Sequence, residues 1–552
     1  MKPNLKPGRD EFHLAPDQNA EMFRTRRNAF LPENGVRQFS PMIIIISLFA
    51  FFSCPVVQAG VQEAWIQKHT AWAGIGTNQA VAMALDSQGN IIVTGSSQST
   101  NGDFDYVTLK YAPNGSNQWV QRYSSTNTSD DQVRALVLDK NDNVFVTGTS
   151  VTIKYNASGK LQWSAPFGGR ALVADTNGNV YVTGYSDVDF STVKLDQTGS
   201  NVWQRTFDAV GQPDISQQVT LDKEGNVYVA GVEKWFHSLQ FGAYWWRYRM
   251  ISYKADGAER FSTPFPSGAL PEGIYGPDSV IRGIYSLNDC ILFTGNLVGG
   301  VGAGTFGVGK VSLSGEFQGF LYLIPTDNEG MRASSLSSTA ETYLTGGTLL
   351  DRFRHTTFRT YKVLTNGVVG ASVGQTQPVW QADYIGLNTG YHRGNAIGLD
   401  AAGNVYVAGQ STGAGTVADG QDWVTIKYSP TGQEKWVKRY NGAARLNDVA
   451  TCMAVTPAGE VYVAGWSQTS GNQVELVVIK YAQSASLTVE TNRTVSLQFP
   501  GTPGVSNRVQ ATTNFLGWLD LGFSVADTNG LLHFQDTNAP AHPFRFYRTV
   551  TP

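Results

Sequence analysis

Four short turns in this chain carry oxygen-bearing side chains in a pattern that occurs in calcium loops. Each turn reads Asp-x-x-Gly-Asn, at residues 86–90, 175–179, 222–226 and 400–404. A calcium loop needs several oxygen ligands and normally a bidentate carboxylate further along the chain. Here an apolar run follows each turn at once. The pattern therefore predicts hairpin turns, in which Asp binds its own backbone and Gly supplies a positive φ. No metal site is predicted.

Lysine recurs at equivalent positions of a repeated segment, where a ring of cations could hold an anion. The positions are Lys110, Lys154, Lys194, Lys310, Lys362, Lys427 and Lys480. Because this spacing follows the repeat itself, we expect each lysine to lay its stem along the neighbouring repeat and to reach water or a carboxylate. The lysines are interpreted as parts of the scaffold.

An aromatic insertion is the most distinctive candidate for binding. It contains Trp235, Phe236, His237, Phe241 and Tyr244. Aromatic side chains stack on sugars or on partner side chains, but a long loop also uses them for its own packing. Both interpretations stay open, and the five residues are candidate binding residues.

A basic segment further along supplies the remaining candidates, Arg352, Arg354 and His355. The nearest candidates for acid–base chemistry are these three together with Asp351, His392 and Arg393. The sequence has no nucleophile elbow, phosphate loop or HExxH motif. No catalytic residue and no cofactor is predicted, although an enzyme whose chemistry lies on loops remains an alternative.

Composition limits the classes of partner. The chain has 41 Lys and Arg against 44 Asp and Glu, a net charge of −3, so no basic face is implied and nucleic acid is not a predicted partner. Gly is abundant and charged residues are only 15% of the chain, which suits short strands and turns. Cys54, Cys290 and Cys452 are far apart, and no disulfide is predicted.

One repeated phrase organises the chain, and its clearest copy is GNVYVAG at Gly225–Gly231. Related copies occur at 89–95, 142–148, 178–184, 403–409 and 459–465, with degenerate copies at 290–295 and 342–346. Each copy is the second of four short apolar segments, which in the first unit are Ala80–Leu85, Ile91–Gly95, Tyr106–Tyr111 and Trp119–Tyr123. Four antiparallel strands repeated many times predict an all-β fold, a β-propeller of four-stranded blades.

The number of blades depends on the two ends of the repeat. First strands are predicted near Ala80, Val133, Arg170, Ser216, Val280, Met331, Asn395 and Asp448. The eighth unit lacks its fourth strand, and an orphan segment, Trp65–His69, matches that missing strand. Pairing the two would close the ring and remove an open sheet edge. Eight blades are predicted; seven are possible if the fifth or sixth unit is something else.

Variable connections are expected on one face of the ring. The turns after the first and third strands of each unit are tight, whereas the connections after the second and fourth strands vary. Long loops are predicted at Val232–Tyr244, Asn296–Gly304, Gly347–Thr357 and Gln410–Asp422. Binding residues usually lie on variable loops of a rigid scaffold, so function is expected on this face or in the channel mouth.

These phrases resemble the β-propeller repeat of large exported bacterial proteins, the SBBP repeat. The matching residues are the Gly-Asn-Val-Tyr-Val-Thr/Ala-Gly phrase, the Lys-Tyr that ends the third strand and the Trp of the fourth strand, over about residues 64–481. The resemblance implies a secreted or surface propeller, in a family whose members mostly have no assigned activity.

The predicted domains are a leader (1–59), the propeller (60–483) and a C-terminal β module (484–552). The leader has a basic region, an apolar run at Met42–Phe52 and Val57-Gln58-Ala59 before Gly60, which predicts a signal peptide cleaved after Ala59. A lipidated Cys54 and an uncut anchor are the alternatives, and the leader itself would hold the protein in a membrane only if it stays uncut. Each of them predicts export.

The tail from residue 484 contains short alternating runs and predicts a small β-sandwich-like module. A segment through Trp518, then Asp536 and Phe544–Arg548, resembles a C-terminal module common on exported proteins of environmental bacteria. Its role is not implied by the residues.

Three functions follow as hypotheses. The preferred one is a non-enzymatic exported propeller that binds a glycan or a surface protein through its variable-loop face. The alternatives are a propeller hydrolase, lyase or oxidoreductase with a site at the channel mouth, and a purely structural cell-surface protein.

Overall fold

The computed structural model describes residues 61–550 apart from short gaps. The gaps are residues 72–75, 126–129, 187–188, 209–213, 239–242, 266–279, 300–302, 324–327, 350–354, 365–372, 387–389, 414–419, 472, 484–485, 491, 502–503, 528–530 and 543–544. Contacts divide the chain into residues 1–42 and 43–552, and all described residues belong to the second unit. The predicted leader and Cys54 lie outside the described residues. No helix of the described part is long and apolar enough to cross a membrane.

The described part of residues 61–483 forms seven four-stranded sheets and one five-stranded sheet, here called blades 1–8, in a β-propeller. The first strand of the chain, β1 (Val61–His69), belongs to blade 8. Blade 1 contains β2 (Asn78–Leu85), β3 (Ile91–Gln98), β4 (Phe104–Tyr111) and β5 (Asn117–Tyr123). Blade 2 contains β6 (Val133–Leu138), β7 (Val144–Gly148), β8 (Thr152–Tyr155) and β9 (Leu161–Ala165). Blade 3 contains β10 (Ala171–Ala174), β11 (Val180–Ser186), β12 (Asp189–Leu195) and β13 (Asn201–Phe207).

The following blades repeat this order. Blade 4 contains β14 (Asp214–Leu221), β15 (Val227–Ser238), β16 (Ala243–Tyr253) and β17 (Glu259–Pro264). Blade 5 contains β18 (Val280–Ser286), β19 (Cys290–Gly299), β20 (Ala303–Ser312) and β21 (Phe317–Leu323). Blade 6 contains β22 (Asn328–Leu336), β23 (Glu341–Leu349), β24 (Thr356–Leu364) and, after β25 (Val373–Gln375), β26 (Trp380–Tyr384). Strand β25 pairs in parallel with β21 and adds a fifth strand to blade 5, which the repeat does not predict.

The last two blades complete the ring. Blade 7 contains β27 (His392–Leu399), β28 (Val405–Thr412), β29 (Gln421–Tyr428) and β30 (Glu434–Tyr440). Blade 8 contains β31 (Asp448–Val455), β32 (Val461–Ser470) and β33 (Gln473–Gln483). Strand β1 pairs antiparallel with β33, with Trp65 opposite Lys480 and His69 opposite Leu476. The orphan N-terminal segment therefore occupies the missing strand of the eighth repeat, as the sequence predicts.

The hydrophobic core lies between neighbouring blades. The two middle strands of each blade are buried on both faces, as in β3, where Ile91, Ile92 and Val93 are fully buried. One core cluster joins Val93 and Leu109 of blade 1 to Tyr462 and Val478 of blade 8. This two-sided burial explains the continuous apolar runs in the repeat phrase.

The Asp-x-x-Gly-Asn segments are hairpin turns, as predicted. In the first, Asp86 Oδ1 accepts hydrogen bonds from the backbone N–H groups of Gln88 and Asn90, and Oδ2 accepts one from the Asn90 amide. Gly89 has φ +76°, which favours glycine. Because the carboxylate is used within the turn, it is not positioned to ligate a metal ion. The described residues contain no group of three His, Cys, Asp or Glu residues that could hold one.

Residues 486–550 form two three-stranded sheets. One contains β34 (Ser486–Val489), β35 (Val495–Pro500) and β38 (Leu531–Asp536); the other contains β36 (Ser506–Thr512), β37 (Leu519–Val525) and β39 (Phe546–Val550). A short 3-10 helix, Ala539–Ala541, precedes the last strand. The buried Asp536 carboxylate accepts hydrogen bonds from Arg545 and Tyr547. The Asp and the Arg-Phe-Tyr-Arg segment of the sequence motif thus have a structural role inside this module.

Candidate functional site

Two of the long loops predicted after second strands are largely β-strand in the structure. The predicted long loop at Val232–Tyr244 is wrong, because β15 runs to Ser238 and β16 resumes at Ala243. The insertion lengthens the β-hairpin of β15 and β16. Strands also cover most of the predicted loop at Asn296–Gly304.

The predicted binding residues fall in different parts of the variable-loop face. Trp235, Phe236 and His237 lie in β15, where Trp235 is at a break in register, and His237 pairs with Tyr244 of β16. Phe241, Arg352 and Arg354 lie outside the described residues, as does Asp351. His355 directly precedes β24 and is half-buried.

His392, one of the candidates for acid–base chemistry, is a packed core residue. It is 1% exposed, its Nδ1 lies 2.7 Å from Ser411 Oγ, and its backbone N–H donates to Thr356 Oγ1. These contacts tie blade 6 to blade 7. The adjacent Arg393 is half-buried and lines a cavity, so the two neighbours have different surroundings.

A β-bulge occurs at an equivalent position in the first strand of seven blades; these first strands are here called the inner strands. In seven blades the bulge follows the residue that pairs with the terminal glycine of the repeat phrase, as in the pair Ala80–Gly95 of blade 1. A Cβ atom on Gly95 would lie 2.0 Å from the carbonyl oxygen of Gln79. The glycine is therefore required because the bulged strand approaches it closely.

The bulged residues form a layer around the channel near the variable-loop face. They are Val81, Arg134, Gln217, Arg282, Arg332, Asn395 and Thr451, and Arg170 has the corresponding place just before β10. The sequence prediction missed this layer, because the extra residue of the bulge recurs from repeat to repeat and its presence therefore does not change the spacing between repeats. Alignment of the repeats on their glycines would have placed Arg134, Arg170 and Arg332 in one column, with Arg282 one position away.

Three bulged side chains connect consecutive blades. Thr451 donates a 2.7 Å hydrogen bond to the carbonyl oxygen of Ala80, and Asn395 donates one of 2.9 Å to that of Ala450. Gln217 accepts a hydrogen bond from the backbone N–H of Ile281. In each case the partner is the residue before the next bulge, so these polar side chains stabilise the ring.

A cavity of about 560 Å³ opens beside the inner strands of blades 7 and 8. Its lining residues are Arg393, Asn395, Gln410, Gln421, Asn447, Val449, Thr451 and Trp466. The amide side chains form a chain of hydrogen bonds, in which Gln410 donates to Gln421 and Asn447 donates to Gln468. Amides and a guanidinium give this cavity several hydrogen-bonding groups, while Val449 and Trp466 contribute apolar surface; the cavity is wide open to solvent and more of its exposed lining is apolar than polar.

The repeated lysines and tryptophans serve the scaffold. Lys110 Nζ and Trp119 Nε1 both donate to the carbonyl oxygen of Ala157 in the next blade. Lys110 also forms an ion pair with Asp86 in its own blade, at 2.8 Å. The prediction that the lysines contact the neighbouring repeat and a carboxylate is confirmed at this position.

Cys290 and Cys452 are free thiols, as predicted. Burial raises the pKa of Cys290 to about 11 and that of Cys452 to about 12. Both thiols are therefore protonated at neutral pH and are not nucleophiles.

Comparisons with known proteins agree with the fold. The chain contains a beta-propeller repeat of the SBBP family at residues 169–191, which spans β10, β11 and the start of β12. No curated protein matches the chain.

Solved structures with similarity to this chain include proteins of several kinds. The WD40 domain of SCAP from fission yeast is 10% identical, with a TM-score of 0.41, and the match covers 77% of this chain and 98% of that one. An ulvan lyase from a new polysaccharide lyase family is 11% identical, with a TM-score of 0.35, covering 74% of this chain and 95% of that one. A putative gluconolactonase is 8% identical, with a TM-score of 0.28, covering 77% and 94%. These similarities concern the fold and leave the function open.

Proposed function

We propose that this β-propeller is an exported protein that binds a glycan in the cavity on its variable-loop face. The observation that carries the proposal is the lining of that cavity, where Asn447, Gln421 and Arg393 lie with Trp466. Sugars offer paired hydroxyl groups to amide and guanidinium side chains and an apolar ring face to an indole. A cavity of about 560 Å³ is of the size that small-molecule sites have, and it has room for a short oligosaccharide.

A rigid scaffold favours this type of binding. The cavity lies where β31 and β32 of blade 8 meet β27 and β28 of blade 7. Asn395 ties blade 7 to blade 8, and Thr451 ties blade 8 to blade 1. Residues on packed strands lose little conformational entropy when a ligand binds. Export is inferred from the leader sequence alone.

The described residues favour binding over catalysis. His392 is packed against Ser411, and neither cysteine is a thiolate. Asp448 has a raised pKa, but it is fully buried and accepts a hydrogen bond from the backbone N–H of Gly442. A general acid or base must reach its substrate, and this carboxyl group is enclosed.

A glycan array with the full chain tests the proposal. The expected result is selective binding to one group of oligosaccharides, reduced at least tenfold by Trp466→Ala and by Asn447→Ala. Trp518→Ala is the matched control, because Trp518 belongs to the C-terminal module, and it should bind as the wild type does. Silence across the array, or equal binding by Trp466→Ala, would show that the cavity is not a glycan site.

A further inference from the structure

Three arginines lie close together at the end of the channel that faces the variable connections. Arg282 and Arg332 occupy the bulged position of blades 5 and 6. Arg393 lies in β27 of blade 7, one residue before Gly394, which pairs with Gly409 of β28. All three residues are half-buried. Three consecutive blades therefore direct positive charge to one side of the channel mouth.

The electrostatics of Arg282 show how near these charges are to one another. Burial, then the charge of Arg332 and, to a smaller extent, that of Arg393 lower the pKa of Arg282 to about 10. Tyr248 is the one group with the opposite effect that acts on Arg282 among the described residues. Like charges held together in a partly buried place destabilise a fold. The proximity of the three guanidinium groups therefore has a cost in stability at Arg282.

The arginines also differ from their polar equivalents in what they bind. Gln217, Asn395 and Thr451 use the bulged position for a hydrogen bond to the next blade. In the described part of the chain, the Nε atoms of Arg282 and Arg393 are buried and have no hydrogen-bond partner. Such a buried donor costs free energy unless a ligand supplies an acceptor. A guanidinium offers parallel N–H donors that match the oxygens of a carboxylate or sulfate group.

We propose that Arg282, Arg332 and Arg393 bind an oxyanion group of an acidic glycan, a carboxylate or a sulfate, at the channel mouth. This inference rests on the proposed function, since it specifies the class of glycan. Arg393 connects the two features, because it also lines the cavity. The amides and Trp466 contact uncharged sugar surface, while the arginines bind the charged group of the same chain.

Calorimetric titration of the full chain with tetragalacturonate, galactotetraose and sodium sulfate tests this inference. At low salt, tetragalacturonate should bind at least tenfold more tightly than galactotetraose, and the difference should shrink as salt is added. Arg282→Gln should weaken the binding of tetragalacturonate at least tenfold without weakening galactotetraose. Arg393→Gln should weaken the binding of both, and that of tetragalacturonate more, because Arg393 also lines the cavity. Arg282→Lys keeps the charge and should retain part of the affinity.

Arg134→Gln is the matched control, because Arg134 has the same bulged position in blade 2 but is exposed and far around the ring. It should leave all three affinities unchanged. Thermal unfolding of each variant checks the fold, and loss of mutual repulsion should keep the melting temperatures of the glutamine variants at or above that of the wild type.

The outcomes separate this inference from the proposed function. If galactotetraose binds and tetragalacturonate gains nothing, the acidic-glycan inference is overturned while glycan binding stands. If sulfate binds and neither oligosaccharide does, the arginines form a site for a free anion, and the glycan part is overturned. Equal binding of tetragalacturonate by the wild type, Arg282→Gln and Arg393→Gln would also overturn it.

Discussion

The indole Nε1 of Trp65 donates a 3.0 Å hydrogen bond to the carbonyl oxygen of Pro113, although Trp65 completes blade 8 and Pro113 belongs to blade 1. Lys480 Nζ donates to the same oxygen, at 3.2 Å. The Trp65 ring also packs between Tyr111 of blade 1 and Tyr462 of blade 8, with ring centroids 6.2 and 6.0 Å away. The seam of the ring is thus built from the same contacts as those that blades 1, 2 and 3 each make with the next blade.

Replacement of Trp65 therefore tests closure of the ring. Trp65→Ala should lower the free energy of unfolding by about 3 kcal/mol, because it removes a packed ring and a hydrogen bond. Trp163→Ala is the matched control, since Trp163 has the same place in blade 2 and donates to Gln197 at 2.9 Å. Urea unfolding should give similar losses for both variants. A much smaller loss at Trp65 would mean that β1 does not close the ring.

The glycine opposite Trp65 gives a second test. Gly115 has φ +88°, and a Cβ atom there would lie 2.9 Å from the Trp65 ring. Gly225 has φ +80° but has nothing within 4 Å of a new Cβ atom. Gly225→Ala should cost about 1 kcal/mol for the left-handed backbone alone, and Gly115→Ala should cost clearly more because the ring must also move. Equal melting temperatures of the two variants would contradict the docking of Trp65 on this turn.

The sequence predicts the scaffold well because the scaffold is repeated. The glycine at 225, the lysine at 110 and the tryptophan at 163 recur with their neighbours, so the turns, inter-blade contacts and closing strand follow from pattern and spacing. The insertion in blade 4 was predicted as a loop because its length departs from the repeat, yet its residues pair as β15 and β16.

The candidate site could not be predicted in the same way. Arg282 and Arg332 are 50 residues apart in the chain, and only the bulge and the curvature of the ring bring their charges together. A bulge is a backbone feature that many residue types accommodate, so a single copy of the repeat signals it only through the glycine opposite, and the arginines become apparent only when the copies are aligned. The cavity beside Trp466 likewise depends on how two blades are packed against each other.

Lys110 and Asp86 form a nearly buried ion pair, with side chains 6% and 2% exposed. Burial opposes ionisation of Asp86, but hydrogen bonds from Lys110 and Asn90 lower its pKa below the usual value. Lys110→Met should therefore cost about 3 kcal/mol at pH 7, because it leaves a buried carboxylate without its cation. The double variant Lys110→Met/Asp86→Asn should recover part of this loss.

The stability that Lys110→Met loses relative to the wild type should depend on pH with a defined sign. A carboxyl group with a lowered pKa in the folded state adds stability above its unfolded pKa, and this contribution is lost as pH falls through the folded pKa. The deficit of Lys110→Met relative to the wild type should therefore shrink in acid, as measured by urea midpoints at several pH values. Lys194→Met is the control, because Lys194 Nζ donates to the carbonyl oxygen of Ala255, a neutral acceptor. Its deficit should change little with pH.

The contribution of Asp448 to stability should depend on pH in the opposite sense to that of Asp86. It is fully buried, and burial raises its pKa to about 6, although hydrogen bonds from Ser467 and Gly442 oppose the change. The nearby charge of Asp422 raises the pKa further. The folded protein therefore binds a proton between about pH 4 and pH 6 that the unfolded chain has already released. The contribution of Asp448 to stability is consequently lost as pH rises through the folded pKa.

Asp448→Asn stays neutral at every pH, so its stability relative to the wild type should rise by up to about 3 kcal/mol between pH 4 and pH 7 and then level off. Urea midpoints across this range measure the difference. Asp196→Asn is the matched control, because hydrogen bonds, first of all from Thr198, lower the pKa of the exposed Asp196. Its difference from the wild type should have the opposite sign of pH dependence. Parallel curves for Asp448→Asn and the wild type would show that the carboxyl group is ionised inside the fold, and that charged groups around the start of β31 compensate for its burial.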